Sequence, residues 1–275
     1  MTRTRALDPE LSVAALLLSL VLVRFLPVWL AGRTPFWGDL TYIHHPWHAC
    51  QAQIVQSGRV PLWNPYLYFG IPQLASMQDG FLYPGSLPRY LFGFASATAL
   101  HHAFHYWLAG FFCYLWLRSL RLRRSAALGG ALLTALGGLF LSRMPFLNHL
   151  ASLSLAPAFL LFFGRPWLLG ASLALAFLAG YPPMLAGSIA GAWALTFALR
   201  GRGAVLAGLF SWSKAAPLAL GLSACLLVPA LELFPLSRRS SGVELGEGML
   251  FGFSPIDLLQ WIAPWAVARF DPAVL

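Results

Sequence analysis

The amino-acid sequence predicts an all-α membrane protein: a polytopic bundle of about seven transmembrane helices, with a long first extracytoplasmic loop carrying interfacial helices. Three observations predict it. The 275 residues are 59% hydrophobic and only 10% charged, whereas a soluble domain is typically about 25% charged. The apolar runs are long, continuous and rich in Leu and Ala, unlike the ~10-residue alternating segments of a membrane barrel. Basic residues gather at alternate ends of these runs, as the positive-inside rule requires. Lipid offers the backbone no hydrogen-bond partner, so a continuous apolar run must pair within itself as a helix.

The chain reads as a single membrane domain, 1–275. The first transmembrane helix is expected at 11–31; it is longer than a signal-peptide core and lacks a clear cleavage site. Residues 32–95 form the long loop, in which Thr41–Ser57 has the mixed polarity of a helix lying along the interface. Trp63, Tyr66, Tyr68, Tyr83 and Tyr90 suit a belt at headgroup level. Helices two to seven occupy 96–233, at about Ser96–Leu117, Ala126–Leu141, Leu150–Phe163, Trp167–Gly180, Met184–Leu199 and a last helix ending at Leu233. Pro217 and Pro229 predict kinks in that last helix. Residues 234–275 form an extracytoplasmic tail that stops in mid-pattern, as an N-terminal portion of something longer would.

Charge sets the orientation. Arg3, Arg5, Arg118–Arg124, Arg165, Arg200 and Arg202 fall on one side if every run crosses. That side is expected to be cytoplasmic, with the first loop outside. The net charge of +9 comes from 17 Arg and one Lys scattered at helix ends. Topology and anionic lipid explain that pattern, and nucleic acid does not. Cys113 and Cys225 read as small apolar side chains, while Cys50 lies near His48.

The loop concentrates the chemistry. It holds Asp39 and Asp79, two of nine acidic residues, and His44, His45 and His48, three of seven histidines. Asp39, just beyond the first helix, suits a general base or metal ligand; the plain alternative is an N-cap for the helix that follows. Asp79, in Asp79-Gly80, is a second candidate acid or simply a turn residue. His44 and His48, spaced i, i+4, share a helix face and form a candidate metal pair; the alternative is ordinary hydrogen bonding. His101, His102 and His105 open the second helix and read as structural. Arg143 and His149 lie in one outward turn, and Glu232, Arg238 and Arg239 lie near the end of the last helix. These are candidate contacts for a phosphate or an anionic lipid head, against snorkelling or solvated-loop alternatives.

Several stretches together resemble the YfhO family of bacterial membrane proteins: VPLWNPYLYFGIPQLASMQDGFLYP, FLNHLASLSLAP, LAGYPP, PALELFPLSRRS and FSPIDLLQWIAP. Tyr181 stands where that family tends to carry His. The family is similar to GT-C glycosyltransferases, which share a helical membrane module with an acid opening the first outer loop, a position matched by Asp39. The resemblance implies sugar transfer from a polyprenyl-phosphate carrier to a cell-envelope polymer or lipid acceptor. Asp39 would then be catalytic, with Asp79 as the second candidate. Trp63, Asn64, Gln78, Arg143, His149, Glu232, Arg238 and Arg239 would contact substrate, and an Mg or Mn ion is an alternative stabiliser of the leaving phosphate. The turn between helices three and four lacks the second acid many such enzymes carry there. A non-catalytic binding or transport protein for a lipid-linked sugar is the rival reading, although no internal repeat favours a transporter. A zinc hydrolase would be expected to show HExxH, which is absent.

Overall fold

The computed structural model describes residues 9–34 and 38–242, apart from the side chains of Pro9, Trp29, Arg238 and Arg239. Arg3, Arg5, Glu244, Glu247 and the FSPIDLLQWIAP stretch lie outside the described residues. Packing groups the described residues into two units that divide between Leu231 and Glu232.

The described residues are helical, with no strand beyond an isolated bridge between Asn64 and Ile71. In the first unit, α1 spans Pro9–Leu30. It buries Ala14, Leu17, Val21 and Phe25, spaced along one stripe, and leaves Leu16, Leu18, Leu20, Leu22 and Val23 exposed. Exposed leucines on a helix this apolar face lipid, not water. A π-helical turn, Leu40–His44, runs into α2, His45–Gln56, the interfacial helix expected at Thr41–Ser57. After an irregular stretch comes the short α3, Pro88–Leu91.

The helix α4, Phe94–Ser119, packs against α1, α3, α5, α7 and α8. Its centrality explains why it tolerates three histidines: a polar side chain in a membrane bundle must face inward and find a partner. The next helices are α5, Arg124–Leu136, and α6, Gly138–Leu141, separated at Gly137, whose backbone is extended. Ala127, Ala131 and Ala135 of α5 are sealed against α4. A Cβ added at Gly110 of α4 would sit 3.1 Å from the Ala135 Cβ, so small residues permit this close approach. The expected fourth helix is divided into α7, Leu147–Ser154, and α8, Ala156–Leu161. Then α9 spans Pro166–Leu178.

The last helix, α10, Pro182–Leu233, is two helices joined at Gly201, with φ 74° and ψ −179°. That conformation is open essentially to glycine alone, and it falls in the basic RGRG stretch expected as a loop. Three segments are long and apolar enough to cross a membrane: Glu10–Val28, Arg124–Leu141 and Pro182–Leu236. The segments Leu147–Leu161 and Pro166–Leu178 are apolar but shorter. Glu10 lies 3.6 Å from Arg118 and 3.9 Å from Arg124, which brings the start of α1 and the basic α4–α5 turn to the same end.

Candidate functional site

At the opposite end of α1 and α4, three turns far apart in sequence are tied to one another. Asn148 is the knot. Its Nδ2 donates to the Gln78 carbonyl at 3.1 Å and to the Gly180 carbonyl at 3.3 Å. Gly180 has φ +95°, and a Cβ there would meet the Met77 carbonyl oxygen at 2.8 Å. Only a glycine lets the 179–181 turn lie this close to the 77–80 turn. The head of the loop joins the same region: the Leu147 N–H donates to His44 Nε2 at 3.2 Å. His102 of α4 reaches the Met144 carbonyl at 2.9 Å, and His101 donates to the Leu147 carbonyl at 3.1 Å. The 142–146 turn and the start of α7 are thus held from the loop, from α4 and from the 179–181 turn.

Asp39 opens the π-helical turn and is half-buried. Its side chain makes no capping hydrogen bond, so the N-cap alternative does not describe it. The preceding Gly38 approaches Pro145, with an added Cβ 3.9 Å from the Pro145 Cβ. Asp39 therefore lies on the loop segment that packs on the turn bearing Arg143 and His149. Partial burial raises its pKa above the usual carboxylate value. Arg143 lies over the Phe146 ring at 5.8 Å, and its Nε has no hydrogen-bond partner. His149 is stacked between Phe146, at 4.8 Å, and Tyr181, at 3.5 Å, with its Nδ1 unpartnered. Tyr181 thus supplies a ring face to His149.

Asp79 sits deeper. It is 2% exposed, and its Oδ1 accepts the Phe81 N–H at 3.0 Å, as a turn aspartate does. Burial pushes its pKa up to about 6, against the opposing pull of the Phe81 N–H, the Arg89 charge and the Gln73 and Gln51 amides. Those two amides lie near the carboxylate, but neither closes a well-formed hydrogen bond, and Oδ2 is unpartnered. A carboxylate sealed this way organises the loop from within and does not reach a substrate in this conformation.

Arg89 is the residue that sequence reading missed. It lies in a Pro-Arg-Tyr-Leu stretch with no acidic neighbour in sequence, so nothing marked it apart from a belt arginine. Yet it is only 8% exposed and donates to the Asp79 carbonyl from Nη1 at 2.6 Å. Burial lowers its pKa to about 10. Tyr83 O–H donates to His105 Nε2 at 2.9 Å, because His105 Nδ1–H is already given to the His101 carbonyl at 2.6 Å.

The other expected site residues are placed as follows. Asn64 is buried in the loop: its Oδ1 accepts the Tyr66 N–H at 3.0 Å, and its backbone pairs with Ile71. Trp63 is half-exposed and lies against Gly70, leaving no space for a side chain there. Gln78 contributes its carbonyl to Asn148. His44 and His48 do share a face, with rings 5.6 Å apart. The His44 Nε2 lone pair is engaged by Leu147 N–H, which takes that nitrogen away from a metal. Among the described residues no three His, Cys, Asp or Glu side chains are grouped to hold a metal ion. In the second unit Glu232 is exposed, and the side chains of Arg238 and Arg239 lie outside the described residues. Comparison with protein-family models, with curated proteins and with solved structures finds no match to this chain.

Proposed function

We propose that the chain is a membrane glycosyltransferase that moves a sugar from a polyprenyl-phosphate carrier to a cell-envelope acceptor on the outer side of the membrane. One observation carries the reading: the Met77–Gly80 turn, the start of α7 at Leu147–His149 and the Gly180–Tyr181 turn, all within stretches that resemble the YfhO family, are joined through Asn148 beside the Asp39 turn. In this reading α1, α4, α5 with α6, α7 with α8, α9 and the two halves of α10 make about seven crossings. The N-terminus is cytoplasmic and the loop faces outward, where a carrier's phosphate lies at headgroup level.

The chemistry needs a base and a charge sink. Asp39 takes the proton of the acceptor hydroxyl as its oxygen attacks the anomeric carbon. The bond from that carbon to the phosphate oxygen breaks, and its electron pair leaves with the phosphate. Arg143, with an unpartnered Nε, stabilises the charge gained. A divalent ion would serve the same end. The raised pKa of Asp39 favours accepting a proton, and transfer should fall on acidification as that base is lost.

The test is reconstitution in vesicles with a labelled polyprenyl-phosphate sugar and envelope acceptors. Asp39→Asn should reduce transfer by about a hundredfold or more, and Arg143→Gln by a similar order. Equal transfer by wild type and Asp39→Asn would overturn the role of Asp39. Carrier binding with no transfer by any form would establish the rival, a non-catalytic binding protein.

A further inference from the structure

A second site is lined by neither Asp39 nor Arg143. A cavity of about 390 Å³ opens between α2, α3 and the start of α4. Three of its lining residues carry a buried side-chain nitrogen without a hydrogen-bond partner: His48 Nε2, Arg89 Nε and His101 Nδ1. Their residues are 4%, 8% and 1% exposed. Arg89 has no carboxylate within ion-pair distance among the described residues, since its bond to Asp79 is to the backbone carbonyl. The Asp79 carboxyl acts on it only from beyond ion-pair distance, so a further anion would stabilise this buried cation.

The cavity also receives a helix end. Gly93 and Phe94, the N-cap and first residue of the 26-residue α4, line it. No side chain caps that end, and the space beside Gly93 is open. The first-turn N–H groups of a long helix carry partial positive charge and attract oxyanions. The histidines add a requirement. His101 Nε2–H is given to the Leu147 carbonyl, so Nδ1 of the neutral ring is an acceptor and asks for an O–H. An oxyanion without an O–H supplies no such donor, whereas one on a hydroxylated group, such as a phosphate ester of glycerol, supplies both the oxyanion and the hydroxyl.

We propose that this cavity binds a hydroxyl-bearing phosphate, its oxyanion between Arg89 and the α4 N-terminus and its hydroxyl on His101. Leu91 and Phe92, exposed at the cavity, suit a lipid-borne phosphate as readily as a free one. The inference does not depend on sugar transfer, and its test reads binding alone.

Glycerol phosphate is titrated calorimetrically into the protein held in phosphatidylcholine nanodiscs. Saturable binding is expected, weakened at least about tenfold by Arg89→Gln. Ala52→Phe fills the cavity without touching the polar groups and should weaken it equally, which keeps the test decisive if Arg89→Gln does not fold. Doping the nanodiscs with phosphatidylglycerol distinguishes the sources. A lipid-borne ligand will protect the 93–98 amides from hydrogen exchange and suppress glycerol phosphate binding, whereas a soluble ligand will bind unchanged. Absence of both glycerol phosphate binding and phosphatidylglycerol protection overturns the proposal. So does binding that is indifferent to Ala52→Phe.

Discussion

Protonation of His44 would remove the lone pair that accepts the Leu147 N–H. Burial, reinforced by the Arg89 charge and the neighbouring His149 and His102, lowers its pKa from 6.5 to about 3. Folding therefore favours the neutral ring. Its contribution is complete above pH 6.5 and is lost as pH falls from there toward 3. At pH 5 the loss from this group alone is as much as about 2 kcal/mol. The melting temperature should drop between pH 7 and 5, and His44→Gln, which accepts the same bond without charging, should flatten that slope. Asp79 runs the other way. With its pKa raised from 3.8 to about 6, folding favours the neutral acid, so stability is lost as pH rises through that window. Asp79→Asn keeps an acceptor for Phe81 and cannot ionise. It should stabilise the protein at pH 7, by as much as about 3 kcal/mol, in a denaturation series at pH 4 and 7. Neither property is visible in sequence. His44 and Asp79 read there as a metal ligand and a turn or catalytic acid, because burial is a property of what folds over a residue.

Among the elements, the start of α7 at Leu147–His149 has the most consequences. Asn148→Ala deletes two hydrogen bonds and leaves the Gln78 and Gly180 carbonyls unpaired, a loss of about 1–3 kcal/mol. Gly180→Ala should be worse, since φ +95° and the Met77 carbonyl both exclude a Cβ. Limited proteolysis of the 57–87 stretch reads both: cleavage should be slow in the wild type, faster in Asn148→Ala and fastest in Gly180→Ala. Retained protection in Gly180→Ala would mean the turns are not held by this contact. The helices themselves were largely legible. The expected helix at 11–31 is seen as Pro9–Leu30, and that at Ser96–Leu117 as Phe94–Ser119. Apolar continuity and proline or glycine punctuation are local signals. The division of the expected Leu150–Phe163 helix at Leu155, ahead of Pro157, and its start at Leu147 were not anticipated. There the hydrogen bonds of His44 and His101 to Leu147 extend the helix into what looked like a turn.

At the scale of the whole chain, the ion pairs of Glu10 with Arg118 and Arg124 put the start of α1 and the basic α4–α5 turn at one end. Tyr66, exposed in the loop, follows the other end of α1. If that basic end is cytoplasmic, Tyr66→Cys should react with a membrane-impermeant thiol reagent in intact cells and Ser119→Cys should not, in a background lacking Cys50, Cys113 and Cys225. The reverse labelling would invert the orientation.

By itself the sequence determined that this is a helical membrane protein, where its helices run, and that its polar chemistry gathers in the loop after the first of them. Those follow from composition and period, which each segment carries alone. Only the tertiary structure decided which polar residues meet. It set Asn148 between Gln78 and Gly180, left Asp39 half-open beside the Arg143 turn, sealed Asp79, and turned Arg89 into a buried cation at an uncapped helix end. The physical reason is that burial and pairing arise from contacts between distant segments, and a lone arginine between Pro88 and Tyr90 reads the same whether lipid headgroups or a cavity await it.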